Sequence, residues 1–118
     1  MHRIVLAAGL AAALFPAVAH ADYGAIAFSQ QTGAVTYSYS AGSKGSADSA
    51  ALKRCRRYGG GCFIAIRFRN ACGAIAVGSE WGYGISWADN REDAGWQAMS
   101  NCNEHDDGCE IRQRVCSG

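Results

Sequence analysis

His105 is the one imidazole after residue 21, and it stands in Asn103-Glu104-His105-Asp106-Asp107-Gly108. Glu104, Asp106 and Asp107 around it supply hard oxygen donors, the chemistry of a cation site. The segment lacks the alternate-position acids and the closing Glu of a calcium loop. A solvated acidic turn explains it more simply, and no metal is expected. Glu80, Asp89, Glu92 and Asp93 raise a second chemistry. Two carboxylates can cleave a glycoside, one as acid and the other as base or nucleophile. Asp89, Glu92 and Asp93 stand where a helix should begin, and a helix N-terminus attracts negative charge without any catalysis. Glu80 falls in a turn. Gly82-Tyr83-Gly84 is only Gly-x-Gly and opens no helix, so it is no dinucleotide fingerprint. No serine stands in Gly-x-Ser-x-Gly. No catalytic residue is assigned and no cofactor is expected.

Cations and an indole offer recognition rather than reaction. Lys53, Arg54, Arg56 and Arg57 form a tight cluster, with Arg67 and Arg69 further along. Guanidinium groups take carboxylate or phosphate in bidentate pairs. Cations at the C-terminal end of a helix are also simply well placed. Trp81 falls in a turn, where an exposed indole makes a good anchor for a partner. Trp87 aligns with Tyr39 and is expected in the core. The candidate binding residues are therefore Trp81, Arg54, Arg56, Arg57, Arg67 and Arg69. From residue 22 onward the chain has ten basic and ten acidic side chains. The balance is +5 over residues 22–72 and −5 over residues 73–118. Such a dipole argues against general nucleic-acid affinity, which needs surplus positive charge to release counterions.

The six cysteines have the wrong spacing for other chemistries. Zinc sites favour pairs two to four residues apart, often with His, and a redox pair needs Cys-x-x-Cys. Here Cys55 and Cys62 stand seven apart, as do Cys102 and Cys109. That recurrence belongs to a larger one. Gly24-Ala25-Ile26-Ala27 returns as Gly73-Ala74-Ile75-Ala76. Tyr37-Ser38-Tyr39 falls on Ile85-Ser86-Trp87, and Ala47, Ala51, Leu52 and Cys55 fall on Ala94, Ala98, Met99 and Cys102. The order holds over pseudo-repeats of about 23–72 and 73–118, an internal duplication. It pairs Cys55 with Cys62 and Cys102 with Cys109. Cys72 and Cys116 are left to join the two halves.

Each repeat reads as the same succession of elements. A Gly-Ala-Ile-Ala strand leads through a turn (Gln31-Thr32-Gly33 or Glu80-Trp81-Gly82) to an aromatic-alternating strand. A helix follows, capped by Ser46 in the first repeat and Asn90 in the second. Ala47, Ala51, Leu52 and Cys55 line its apolar face. A third strand puts Ile64, Ile66 and Phe68 on one side, and Glu110 to Val115 is its counterpart. The expected fold is α+β, a duplicated β-β-α-β unit with two helices packed on one antiparallel or mixed sheet, stapled by disulfides.

Ahead of this domain, Met1-His2-Arg3 precedes an apolar run from Ile4 to Phe15, then Pro16 and Ala19-His20-Ala21. That is the pattern of an export signal, with cleavage expected after Ala21. The run is too short to span a bilayer as a helix. Residues 1–21 are therefore read as a signal peptide and residues 22–118 as a single domain. An even cysteine count in an exported chain reads as a disulfide framework. The expected location is secreted or periplasmic.

Tyr23-Gly-Ala-Ile-Ala-Phe-Ser, Asn70-Ala-Cys-Gly-Ala-Ile-Ala-Val-Gly, Tyr83-Gly-Ile-Ser-Trp-Ala and the paired helix cysteines together resemble the bacterial exported "domain of unknown function 4189" family. The resemblance covers residues 23–116. The chain departs from the pattern by its acidic second half and by Gln113, where alternation expects an apolar residue. The resemblance implies export and a cysteine-rich α+β domain, and it carries over no catalytic residue. The expected function is a non-enzymatic binding domain whose partner is a protein or an envelope polymer. One version is an inhibitor or immunity protein against an envelope-targeting enzyme. The alternatives are a small glycan or peptidoglycan hydrolase using Glu80 with Asp89 or Asp93, and a structural envelope protein.

Overall fold

The structure, a computed structural model, describes residues 21–118. All of the expected signal peptide except Ala21 lies outside the described residues. The elements are β1 (Tyr23–Ser29), β2 (Val35–Ala41), α1 (Lys44–Arg56), β3 (Cys62–Arg69), β4 (Cys72–Val77), β5 (Tyr83–Ala88), α2 (Arg91–Asn103) and β6 (Glu110–Cys116). This is β-β-α-β twice.

The expected single sheet is corrected to two. One has the order β2-β1-β3 and the other β5-β4-β6, with every neighbouring pair antiparallel. The reason lies in the two central strands. Gly24–Ser29 and all of β4 are buried, so both faces of each sheet must be covered. Small residues point one way and large ones the other. Ala25 and Ala27 pack with Ala47, Ala51 and Cys55 of α1. Ala74 and Ala76 pack with Ala94, Ala98 and Cys102 of α2. Ile26, Phe28, Ile75 and Val77 meet between the sheets, with Phe68 and Val115. The layers are helix, sheet, sheet, helix. Alanine on both surfaces lets each helix approach its sheet closely, while the larger side chains fill the central layer.

The Phe68 ring lies against both repeat glycines. A Cβ at Gly24 would stand 2.4 Å from Phe68 Cε2, and one at Gly73 would stand 2.4 Å from Phe68 Cδ1. The glycine that opens each Gly-Ala-Ile-Ala thus makes room for one shared aromatic ring.

Three further expectations are corrected. Ile64 does not share a face with Ile66 and Phe68. The register between β1 and β3 shifts from Ile26↔Ile66 to Ala27↔Ile64, leaving Ala65 as an extra residue. Such a bulge turns the following side chain to the other face, so Ile64 packs on the α1 side. The same shift recurs at Arg112, between Ile75↔Gln113 and Ala76↔Ile111. Ser43, not Ser46, caps α1: its Oγ accepts from Ser46 N at 3.1 Å. Asn90 does cap α2, its Oδ1 accepting from Asp93 N at 2.8 Å. Trp87 is not in the core. It is 59% exposed, because β5 is an edge strand whose end reaches past the central layer.

The disulfides are Cys55–Cys62, Cys102–Cys109 and Cys72–Cys116, the pairs that the repeat predicts. The first and second tie the end of each helix to the strand after it. Cys72 opens β4, directly opposite Cys116 of β6. This bridge therefore lies within the second sheet and does not join the halves. They meet through the central apolar layer, Ser40 N donating to Ser117 O at 2.6 Å, and Arg112 donating to Gly33 O at 3.1 Å.

Candidate functional site

β2 is an edge strand whose faces differ in kind. Thr36 and Ser38 point toward α1 and are buried, donating to Ala51 O and Ala47 O at 2.8 Å each. Tyr37 and Tyr39 therefore point the other way. Tyr37 is half-buried against the central layer, while Tyr39 reaches beyond it and is 58% exposed. Their rings are stacked, with centroids 6.2 Å apart and planes 22° from parallel. Each side of this pair opens into a cavity. One, of about 410 Å³, has Arg54, Arg57 and exposed Tyr58 in its wall. The other, of about 330 Å³, has Arg91, Gln113 and Arg114. Two stacked tyrosines thus stand between two pairs of arginines.

Local structure fixes that placement. α1 ends at Arg56, with Arg57 as its C-cap. Arg54 reaches across to donate to Tyr37 O, which anchors the helix end to the exposed edge of β2. Among the described residues the only ion pair is Arg67 with Asp48. The four arginines flanking the tyrosines thus carry charge that no internal carboxylate neutralises.

The six binding residues picked from the sequence are divided among several places. Arg54 and Arg57 line the tyrosine groove, and Arg56 is exposed in the last turn of α1. Arg67 is held in a bidentate pair, with Nε 2.8 Å from Asp48 Oδ1 and a second bond to Oδ2. The Asp48 hydrogen bonds raise its pKa. Arg69 stacks over the Tyr23 ring, 5.7 Å from its centroid.

Trp81 is elsewhere, in the β4–β5 turn. Its ring covers Gly33, where a Cβ would stand 2.4 Å from Trp81 Cη2. Gln30 Nε2 donates to Trp81 O at 3.0 Å. The indole is 40% exposed and links the two turns. Trp81 has φ +64° and Gly33 φ +76°, so the indole-bearing residue holds the left-handed position that glycine holds in the first turn.

The acidic segment is built into the same turn. Asp106 Oδ2 accepts from Glu80 N at 2.9 Å and from Gly82 N at 2.8 Å, and Oδ1 accepts from Asp107 N at 2.7 Å. These donors, Asp107 foremost, hold its carboxyl below the usual carboxylate range. In the first half Ser29 Oγ does this work, accepting from Gln31 N and Thr32 N. Both carboxylate oxygens of Asp106 are thereby committed to backbone. Among the described residues no three His, Cys, Asp or Glu side chains come together as metal ligands.

The carboxylates named for hydrolysis are separated by the length of β5. Glu80 precedes β5, whereas Asp89 and Asp93 follow it, around the start of α2. A six-residue strand spans about 20 Å, while glycosidase carboxylates stand about 5–9.5 Å apart. Asp93 accepts from Asn90 Nδ2 at 3.0 Å as part of the helix cap.

The groove of the second half, about 510 Å³, repeats the first with different chemistry. Asn101 Nδ2 donates to Ile85 O at 2.8 Å, as Arg54 does to Tyr37 O. His105 takes the place of Tyr58, and Glu104 that of Arg57. Sequence reasoning passed over Tyr37, Tyr39 and Tyr58 as site residues. The signal for the first two was Tyr-Ser-Tyr-Ser, whose serines face alanines across a close helix and so turn the tyrosines outward.

The fold and its staples define a duplicated, disulfide-bonded α+β domain with a tyrosine–arginine face. The family described as "Domain of unknown function (DUF4189)" matches residues 23–116, and the chain belongs to that family. No curated protein and no solved structure matches the chain.

Proposed function

We propose that the chain is an exported, non-enzymatic binding domain and that the Tyr37–Tyr39 face receives an acidic protein or an acidic envelope polymer. One observation carries this reading: a stacked tyrosine pair, 58% exposed at Tyr39, flanked by arginines without an internal acid. Tyr and Arg are enriched among residues that dominate interfaces. A rigid edge strand and a stapled helix end hold them in place before any partner arrives, which lowers the ordering cost of binding.

Two features support export. All six cysteines are paired, which fits an oxidising compartment. Ile4 to Phe15 followed by Ala19-His20-Ala21 has the form of a cleavable leader. No helix among the described residues is long and apolar enough to cross a membrane.

The test is co-sedimentation of the purified protein with isolated lipopolysaccharide, teichoic acid and peptidoglycan, and gel filtration with an acidic protein probe. Saturable binding to an acidic partner is expected, weakening with salt and lost in Arg57→Glu and Tyr39→Ser. Equal retention of those folded variants would refute the assignment of the face.

A further inference from the structure

The duplication provides an internal comparison that exposes a second site. In the first half Arg67 of β3 reaches over α1 and is neutralised by Asp48. The equivalent arginine in the second half is Arg114 of β6. The residue equivalent to Asp48 is Gly95 of α2. The side chain of Arg114 lies directly over that glycine: a Cβ there would stand 2.3 Å from Nε. The two halves thus place an arginine at the same point, but only one supplies its carboxylate. Arg114 makes no ion pair with any described residue.

Beside Arg114 is a cavity of about 480 Å³, within the size range of small-molecule sites. Its walls are mostly apolar. Trp96, Met99 and Ile111 supply that surface, and Ser100 and Asn103 supply polar groups. Trp96 is 76% exposed, the most open of the large hydrophobic side chains described. It is also a residue the duplication does not call for, since its first-half equivalent is Ser49. The second half has therefore lost an internal acid and gained an indole at adjacent positions of one helix.

We propose that this cavity binds a carboxylate-bearing pyranose, a uronic acid unit of a glycan. Arg114 takes the sugar carboxylate where Asp48 sits on Arg67, in the planar bidentate geometry that guanidinium favours. The indole of Trp96 covers the apolar C–H face of the ring. Ser100 and Asn103 hydrogen-bond its hydroxyl groups. The site is carried by α2 and β6, and it shares Arg114 with the far side of the tyrosine face. It rests on the reading of the chain as a binding domain but does not need the Arg54–Arg57 groove.

The experiment is calorimetric titration of the oxidised protein with an oligogalacturonate, its neutral methyl ester and an acidic peptide. The oligogalacturonate should bind, and the methyl ester should bind at least tenfold more weakly. Arg114→Met should lose at least tenfold in affinity, because it keeps the stem and removes the charge. Gly95→Asp should abolish binding by restoring the first half's internal pair, with no fall in melting temperature. Trp96→Ser should weaken it as well, and because Trp96 lines this cavity and not the tyrosine groove, that loss separates the two sites. The proposal is overturned by equal affinity for ester and acid, by binding that survives Gly95→Asp, or by a wild-type protein that ignores the uronate. Arg114-dependent binding of the peptide in place of the sugar would overturn it too.

Discussion

Gly73 lies against the ring of Phe68, so that a Cβ at position 73 would stand 2.4 Å from Phe68 Cδ1. Gly24 meets the same ring at Cε2 and Cζ, and Phe68 is nearly fully buried between the sheets. The two copies of Gly-Ala-Ile-Ala therefore converge on one side chain from the third strand of the first half.

That convergence predicts a coupled pair. Gly73→Ala overpacks the layer and should cost about 1–3 kcal/mol. Phe68→Ala leaves a cavity and should cost about 3–5 kcal/mol. In the double variant the new methyl enters the space the ring vacated, so the double variant should lose less than the sum of the two single losses. Urea unfolding of the four oxidised proteins measures this. Strict additivity would show that the ring and glycine do not share the space.

Asp106 should make the β4–β5 turn acid-sensitive. Its folded pKa is lowered, chiefly by the Asp107 N–H with those of Glu80 and Gly82. A depressed carboxyl stabilises the fold above its unfolded pKa of about 3.9. That stability is lost as pH falls through the lower folded value. Asp106→Ala should melt below the wild type near neutral pH, and the gap should close below about pH 4. A gap that stays constant into acid would mean the charge contributes nothing.

The disulfides should differ in worth. Cys55–Cys62 and Cys102–Cys109 each close a separation of 7, and Cys72–Cys116 a separation of 44. Chain entropy assigns roughly 2.5 kcal/mol to each short bridge and roughly 4 kcal/mol to the long one. Replacing both cysteines of one bridge by serine, then comparing denaturant midpoints, tests the order. A larger loss from a short bridge would point to native-state packing as the main contribution.

Trp87 and Phe28 should separate by position rather than by size. Trp87→Ser, at an exposed edge, should change stability by no more than about 0.5 kcal/mol. Phe28→Ala, in the fully buried contact with Phe63 and Tyr83, should cost about 3–5 kcal/mol. Thermal melts of the two variants suffice, and a comparable loss in both would place Trp87 back in the core.

The sequence is informative about the repeat and misleading about its assembly. The spacing of Gly-Ala-Ile-Ala and of the helix cysteines predicts the element order and the three bridges, because both are local. The number of sheets is not local. It follows from Ile26 and Ile75 facing each other across a layer formed by strands far apart in the chain. The clue was available in the alternation itself, since a strand with alanine on one face and Ile or Phe on the other is covered twice. The bulges at Ala65 and Arg112 leave no mark in the alternation, and the one at Ala65 is what turns Ile64 to the α1 face. Trp87 was misplaced because alignment with Tyr39 identifies its register and not its depth at a sheet edge. The candidate face was only half legible. Arg54 and Arg57 follow from the basic helix end, whereas Arg91 and Arg114 arrive beside Tyr39 only when the second sheet packs onto the first.

The proposed recognition face lies where the two halves differ, at Tyr37, Tyr39, Arg54 and Arg57 rather than at the equivalent groove by His105. The most direct test is to map amide chemical-shift changes by NMR while titrating the oxidised protein with an acidic polymer that it binds. The changes should concentrate in β2 and the C-terminal turn of α1. Changes confined to Gly82–Ile85 and His105 would contradict it.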